Sequence, residues 1–411
     1  ERGKESRNMY TELRLKISSA GVICLKIFLV TVTILAEGII ISAFYMLPER
    51  WLPWLLWSAA FGAAEFLLFW TGIICVYATS VQLGIKIRVL GAVFGMVPVV
   101  NIIFLIKIIK TVSGEVSFER EKLELDRRRK ELEIAKTRYP ILLVHGVFFR
   151  DYKFPGYWGR IPGELKANGA QIYFGNQQSA ASVADSGREL SRRIKEIVSE
   201  TGCEKVNVIA HSKGGLDIIW AVEHCGAGDM VASVTTINTP HRGCEFADYL
   251  LEKIPVKMQK KIESTYNGTM KKLGDEEPDF MSAVRDLTAG ACRKRLSESE
   301  WAQGQGDESR GAGAFSGIFC QSVGSKLNKA TGGKFPLNFT YNLVKYFDGP
   351  NDGLVSEKSF VWGEKYTFLT TEGSRGISHG DMIDLNRENI EGFDVREFYV
   401  KLAADLKDRG L

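Results

Sequence analysis

The chain has 411 residues, of which 45% are hydrophobic and 25% charged, and its formal net charge is +4. This composition excludes an intrinsically disordered chain and lacks the strong basic excess typical of nucleic-acid binding, so we expect no nucleic-acid partner. The length suffices for two domains. The seven cysteines form no tight C-x-x-C pair, which favours reduced, buried thiols over a zinc site or a disulfide framework.

Three apolar stretches follow one another in the N-terminal part of the chain, at residues 22–47, 52–83 and 89–106. Each is close to the roughly 17–25 residues that a helix needs to cross a bilayer. A cleaved signal peptide would be a single, shorter apolar stretch. We therefore predict that residues 1–112 form an all-α transmembrane region with two or three hydrophobic helices, and that the bilayer is a binding partner.

A charged stretch at residues 113–137 follows and predicts a helical linker, either solvated or lying on anionic lipid headgroups. Lysine and arginine cluster before the first apolar stretch and after the third. By the positive-inside rule, both ends would be cytoplasmic, which three full crossings cannot achieve. The expectation is a multi-pass protein of the cell membrane with its C-terminal domain in the cytoplasm, in which one apolar stretch is re-entrant or interfacial.

Strands and helices alternate from residue 138 to residue 411, which predicts a largely parallel sheet covered by helices. Strands are expected at 141–144, 170–174, 205–210 and 232–237. Helices are expected at 160–168, at 182–200 and from Gly214 onward. Residues from about 245 to 345 break this rhythm, so we interpret them as an insertion into the α/β domain.

A candidate nucleophile stands where a predicted strand meets a predicted helix. The sequence Ala210-His211-Ser212-Lys213-Gly214 resembles the G-x-S-x-G nucleophile elbow, with alanine in the first position. In such an elbow the serine occupies a strained turn, and a large side chain two residues away on either side would clash. The alternative is a surface serine at an ordinary tight turn, which the strand before it and the helix after it disfavour.

A serine nucleophile needs a base, and the base needs an orienting carboxylate, in the chain order serine, acid, histidine. Of the five histidines, only His379 lies well downstream of a suitable acid. Asp352 is the expected acid, with Asp348 as the alternative; an aspartate before glycine is also common in ordinary turns. The oxyanion of the intermediate needs backbone N–H donors, for which position alone favours Lys213 and Val147.

The chain from about Tyr139 onward resembles the bacterial triacylglycerol lipases of the Pseudomonas and Burkholderia type. The matching stretches, in the order of that family, are PILLVHG, YWGRIPGELKANGAQIY, KVNVIAHSKGG, VASVTTINTPHRGCEFAD, NDGLVS and SHGDMIDL. The resemblance implies an α/β-hydrolase fold, a lipase or esterase activity with Ser212, Asp352 and His379 as triad, and a helical lid in the insertion. The amphipathic stretch at residues 246–262 suits a lid.

The resemblance also raises the question of calcium, which those lipases hold near the catalytic histidine. Asp381 matches one ligand, but Leu385 stands where a glutamine ligand is expected. No carboxylate lies near Gly332 and Gly333, where a further acid would stand. Calcium should therefore matter little, and no other metal or cofactor is expected.

The function that follows is a membrane-anchored serine lipase or esterase, whose substrate is a lipid ester such as an acylglycerol or a phospholipid. The first alternative is an acyltransferase that uses the same triad with an alcohol as acceptor. The second is a membrane scaffold that has lost activity, which the presence of the serine, acid and histidine disfavours.

Overall fold

The computed structural model describes residues 2–94, 100–129, 131–147, 156–272, 275, 278–299 and 313–411. The chain divides into two compact units, Glu1–Arg129 and Lys130–Leu411.

The N-terminal unit is helical. Its helices are α1 (Arg2–Thr79), α2 (Ile85–Val93) and α3 (Val100–Arg128). Helix α1 is interrupted at Arg50, whose φ of −131° and ψ of 44° are not helical. On either side of this break, Tyr10–Tyr45 (36 residues) and Arg50–Thr79 (30 residues) are long and apolar enough to cross a membrane, by length and composition.

The two arms of α1 approach each other closely where each carries a glycine. A Cβ atom added at Gly21 would lie 2.7 Å from the Cβ atom of Cys75, and one added at Gly72 would lie 2.6 Å from Leu25 Cδ2. Any larger residue at either position would therefore push the arms apart. Leu25 and Val76 are fully buried in the apolar cluster of this unit, which also includes residues of α3.

The third apolar stretch was predicted to form one helix of bilayer length, but helix α2 ends within it. Helix α2 ends at Val93, because Phe94 leaves the helical conformation with φ −91° and ψ 1°. The apolar residues from Val100 onward belong to α3, and residues 95–99 lie outside the described part of the chain. The described residues therefore contain two candidate spans, where two or three hydrophobic helices were predicted.

The charged stretch also differs from a separate linker that begins at residue 113, because α3 continues without a break from Val100 to Arg128. Glu115, in the middle of α3, is 2% exposed. Its carboxylate accepts hydrogen bonds from Arg14 (2.6 Å) and from the hydroxyl of Ser80 (2.6 Å) near the end of α1. A buried carboxylate needs such partners, so this charge holds helices together rather than facing solvent.

The C-terminal unit contains the predicted parallel sheet. Its six strands are β1 (Ile141–Val144), β2 (Ile172–Phe174), β3 (Val206–His211), β4 (Val231–Ile237), β5 (Phe319–Ser325) and β6 (Lys365–Leu369). They lie in the order β2-β1-β3-β4-β5-β6, and every neighbouring pair is parallel. The register places Val144 beside Ala210 and His211 beside Ile237, so the strands end along one common edge.

Helices cover the sheet. They are α4 (Ile161–Ala167), α5 (Val183–Thr201), α6 (Lys213–His224), α7 (Glu245–Lys253), α8 (Val256–Lys272), α9 (Phe280–Asp286), α10 (Ala289–Glu298), α11 (Leu337–Asp348) and α12 (Val395–Asp408). Side chains alternate along a strand, so Ile141 and Leu143 enter one core cluster and Leu142 and Val144 enter the other. This explains why β1 reads as an unbroken apolar run.

The predicted insertion at about residues 245–345 extends too far, because β5 lies within it and pairs with β4 and β6. The described helices α7 to α10 occupy the connection between β4 and β5. Strand β5 was not predicted from the sequence because Gln321, Ser322 and Ser325 are polar, although all three are buried. Their hydrogen bonds are tertiary, as in the bond from Gln321 Nε2 to Thr235 Oγ1 at 3.0 Å.

Candidate active site

Ser212 lies between β3 and α6 with φ 57° and ψ −130°, a conformation that costs a non-glycine residue energy. The residues packed around Ser212 are small because larger side chains would not fit. A Cβ atom at Gly146 would lie 2.8 Å from Ser212 Cβ, and one at Gly214 would clash with the carbonyl oxygen of His145. The strained turn projects the serine at the common edge of the strands, as expected for a nucleophile elbow.

Asp352 and His379 are hydrogen-bonded to each other although 27 residues separate them. The distance from His379 Nδ1 to Asp352 Oδ2 is 2.6 Å, and the carboxylate is fully buried. The other oxygen, Oδ1, accepts the backbone N–H groups of Leu354 (2.9 Å) and Val355 (2.8 Å). The backbone N–H of His379 donates to the carbonyl of Asp352 at 2.9 Å. The aspartate is thus held in one orientation toward the imidazole.

His379 also lies beside the elbow. Its ring centroid is 4.5 Å from that of His211, the residue before Ser212. Within the described residues, neither Ser212 Oγ nor His379 Nε2 forms a hydrogen bond. Catalytic hydrogen bonds of this kind are often long in the free enzyme and tighten in the complex.

Asp348, the alternative acid, is placed differently. Its Oδ2 atom accepts the backbone N–H of Phe246 at 3.4 Å and lies near the thiol of Cys244, at the start of α7. Burial raises the pKa of this carboxyl group above its usual value. Asp348 therefore joins α11 to α7, and Asp352 is the acid that contacts the imidazole.

Of the two predicted oxyanion donors, Lys213 follows Ser212 directly, and Val147 follows Gly146, which packs against Ser212. The backbone N–H groups of Val147 and Lys213 have no hydrogen-bond acceptor among the described residues, while that of Gly146 donates to the hydroxyl of Tyr157 at 2.9 Å. Residues 148–155, which follow Val147, lie outside the described part of the chain. Free N–H groups at the start of a helix and after β1 are what an oxyanion needs.

The side chain of Lys213 has a separate structural role that its sequence position did not predict. Its ammonium group is buried and donates to Asp217 Oδ1 at 2.7 Å and to Ser186 Oγ at 3.0 Å. Burial raises the pKa of Asp217 to about 6, against the opposing attraction of Lys213. The ion pair lies within the first two turns of α6, and the hydrogen bond to Ser186 joins α6 to α5.

Asn238 is a residue of the site that the sequence analysis missed. Its Nδ2 group donates to Asp352 Oδ2 at 2.6 Å and to Ser325 Oγ at 2.7 Å, and its backbone has φ 47°. Asparagine tolerates this left-handed conformation better than most residues. The available signal was a polar residue at the carboxyl end of β4, the edge where ligand sites of parallel sheets lie.

Three of the four remaining histidines are buried and have structural partners. His145 Nε2 bonds to the carbonyl of Gln177 at 2.9 Å, and His211 Nδ1 bonds to the hydroxyl of Tyr157 at 2.7 Å. Burial lowers the pKa of His211 well below its usual value. Burial, assisted by the charge of Arg242, lowers the pKa of His241 to about 3, and its ring stacks on Trp362. These buried histidines are therefore poor candidates for a base that must accept a proton.

Asp381, the residue that matched a calcium ligand, has both carboxylate oxygens bonded to Arg375, at 2.8 and 3.2 Å. No group of three or more histidine, cysteine, aspartate or glutamate side chains among the described residues is arranged to hold a metal ion. Leu385 offers no side-chain oxygen. The residues present therefore do not fit a calcium ion.

The parallel sheet, the strand order and the strained serine turn after β3 place the C-terminal unit among the α/β-hydrolases. The lipase of Staphylococcus hyicus has the same fold: its crystal structure gives a TM-score of 0.50 at 17% identity, over 66% of this chain and 97% of that one. The predicted α/β-hydrolase fold is thus confirmed.

Sequence comparison narrows this class. A triacylglycerol lipase of Pseudarthrobacter phenanthrenivorans is 36% identical over 167 residues, 38% of this chain and 51% of that protein. One of Burkholderia plantarii is equally identical over 38% of this chain and 46% of its own length. One of Pseudomonas fragi is 26% identical over 67% of this chain and 99% of its own. No family model matches.

The chain is therefore similar in sequence to bacterial triacylglycerol lipases, and the resemblance seen in the sequence motifs is confirmed. The chain spans about half the length of the first two of these relatives.

Proposed function

We propose that this protein is a membrane-anchored serine hydrolase that cleaves carboxylic esters of lipids, with Ser212 as nucleophile, His379 as base and Asp352 as orienting acid. The observation that carries the proposal is the 2.6 Å contact between His379 Nδ1 and Asp352 Oδ2, beside a serine in the strained elbow conformation. Acyl transfer by a serine requires such a base and acid. The position of His379 beside His211, the residue before Ser212, supports the proposal.

The reaction follows from the positions of these groups. With its Nδ1–H donated to Asp352, His379 presents the lone pair of Nε2, which takes the proton of Ser212 as the hydroxyl attacks the ester carbonyl. The N–H groups of Val147 and Lys213 stabilise the oxyanion. The protonated imidazole then gives its proton to the departing alcohol, and water, activated in the same way, releases the fatty acid from the acyl-enzyme.

We infer that helices α7 and α8 form a lid over this site. Val256, Met258 and Ile262 are exposed on α8 or at its start, with fractional exposures of 66%, 56% and 41%. Helix α7 packs against α11, with the rings of Tyr249 and Phe347 4.7 Å apart. A bilayer surface would cover these apolar side chains and stabilise an open position of the helices.

Attachment to a membrane is supported by the two candidate spans, which expose large apolar side chains such as Phe44 (79%), Trp57 (65%) and Leu67 (65%). Water contact with such side chains is costly, whereas lipid contact is not. Two crossings would return the chain to the side on which it began, and the flanking lysines and arginines favour the cytoplasm. Resistance of the full chain to extraction by high salt and by carbonate tests this attachment; release by salt alone would contradict it.

The proposed activity is tested on the full chain in detergent, against Ser212→Ala and against Ser297→Ala, a matched control that removes an exposed hydroxyl from α10. The wild type and the control should release fatty acid from a lipid extract and should be labelled by a fluorophosphonate. Ser212→Ala should do neither. Equal release by all three proteins would refute the proposal, and products formed with added alcohols would separate hydrolysis from acyl transfer.

The lid is tested separately by comparing one ester above and below its solubility limit. We expect faster hydrolysis of the aggregated ester, and Met258→Ser should reduce this advantage while Ser264→Ala, on the same helix, should not. Equal rates on dissolved and aggregated substrate would remove the support for a lid.

A further inference from the structure

The loop that carries His379 is held by a partly buried ion pair that the reaction itself does not use. Asp381 is 4% exposed, and its Oδ2 atom accepts the backbone N–H of Ser378, the residue before His379, at 2.8 Å. The same Oδ2 accepts Arg375 Nη1 at 2.8 Å, while Oδ1 accepts Nη2 at 3.2 Å. A planar guanidinium therefore engages both oxygens in a fork.

The guanidinium is itself fixed on its other sides. Its Nη2 group donates to Glu388 Oε2 at 2.7 Å, and Nη1 donates to the carbonyl of Gly376 at 3.1 Å. The backbone carbonyl of Arg375 accepts the N–H of Asn328, which follows β5, at 3.2 Å. Arg375 therefore has little freedom to leave Asp381.

A cation bound to Asp381 would have to displace this arginine. The guanidinium covers the carboxylate oxygens that a metal ion would need, and its positive charge repels a divalent cation. The guanidinium group of Arg375 thus neutralises the charge of Asp381, as a bound calcium ion otherwise would.

We propose that Arg375 is a positioning residue: through Asp381 and the N–H of Ser378 it holds the imidazole of His379 against Asp352, and so takes the place of a divalent cation. This inference rests on the proposed hydrolase function. The chain of contacts runs from the guanidinium to the carboxylate, then to the backbone beside His379, and the 2.6 Å bond to Asp352 completes it.

The substitution Arg375→Ala should convert a calcium-independent protein into a calcium-responsive one. It would leave the carboxylates of Asp381 and Glu388 and the carbonyl of Gly376 around the space of the lost guanidinium. Hard oxygen ligands of this kind bind Ca²⁺, and a site with few of them should be weak, with a Kd on the order of 10⁻⁴–10⁻³ M.

The experiment measures kcat and KM of the full chain on a short-chain, soluble ester, in chelator and in millimolar Ca²⁺, together with Tm. In chelator, Arg375→Ala should lose about tenfold to a hundredfold in kcat with KM nearly unchanged, because the base is misplaced rather than the ester pocket. Calcium should restore part of kcat and raise Tm in this variant, and should change neither in the wild type.

Two further variants separate the cation from general disruption. Asp381→Asn should also lose kcat, but calcium should not restore it, because the carboxylate is gone. Lys334→Ala is the matched control: Lys334 is half exposed and pairs with Glu388 Oε1 at 2.6 Å without an ion pair to Asp381. Its kcat should stay near that of the wild type, with or without calcium. If Arg375→Ala does not fold, Arg375→Gln keeps most of the volume and takes its place.

The outcomes distinguish this inference from the proposed function. A wild-type protein that neither hydrolyses esters nor reacts with a fluorophosphonate would refute the function. An active wild type whose kcat falls in chelator would overturn the inference. So would a substituted protein that keeps full kcat, or one that loses kcat without any response of kcat and Tm to calcium.

Discussion

Asn238 offers a quantitative test of how Asp352 is held. Its Nδ2 group donates to the same carboxylate oxygen that accepts His379 Nδ1, and both distances are 2.6 Å. The residue is fully buried, and its φ of 47° is left-handed. Asn238→Ala and Asn238→Gly both remove the amide, but only alanine has a Cβ atom that is strained at this φ.

The size of the effect follows from these two features. Loss of a hydrogen bond to a charged group costs roughly 1.5–3 kcal/mol. If that energy is lost from the transition state, kcat falls by about tenfold to a hundredfold in both variants, because about 1.4 kcal/mol corresponds to a factor of ten. Since glycine adopts positive φ freely, Asn238→Gly should be more stable than Asn238→Ala by about 1 kcal/mol.

The assay measures kcat on a soluble ester and the unfolding free energy of the full chain in detergent. Asn176 provides the control, because it also has a positive φ (53°) but is exposed and lies after β2. Its glycine and alanine variants should differ in stability and keep kcat. The reasoning is refuted if kcat of the Asn238 variants follows stability, with glycine close to the wild type, or if neither variant loses activity.

Three further predictions concern buried ionisable side chains. Asp352→Asn should lower kcat by orders of magnitude, while Asp348→Asn should leave it largely intact; the reverse result would reassign the acid. Asp217→Ala should destabilise the fold by about 3–5 kcal/mol, since it strands the charge of Lys213, whereas Asp217→Leu combined with Lys213→Met should be nearly neutral in Tm. Because the folded pKa of His241 is depressed to about 3, its stabilising contribution is present above the unfolded value and is lost as pH falls from about 6.5 toward 3. His241→Gln should flatten the fall of Tm over that range.

Local signals in the sequence were sufficient for much of the C-terminal unit. Short runs rich in apolar and β-branched residues predicted β1, β3 and β4 within a residue or two, because such residues favour the strand conformation. The small residues Ala210 and Gly214 around Ser212 predicted the elbow, because the steric demand acts within a few residues. Helix α5 was predicted by its amphipathic period, and it begins at the Ser182 cap and ends at Gly202.

Tertiary contacts were needed where a polar residue is stabilised by a partner far along the chain. Strand β5 is polar in sequence, and its buried hydrogen bonds exist only once β4 lies beside it. Composition also did not predict where α2 ends: the third apolar stretch is as apolar as a membrane span, yet α2 ends at Val93.

For the site, the sequence by itself determined which residue types were candidates: one elbow serine, one downstream histidine and two aspartates. Only the tertiary structure decided that Asp352 rather than Asp348 contacts His379. It also decided that Asn238 donates to the same carboxylate and that Arg375 forms an ion pair with Asp381. The physical reason is that an elbow is a local backbone conformation, which nearby residues encode. A hydrogen bond between side chains 27 or 114 residues apart depends on how the strands are ordered in the sheet.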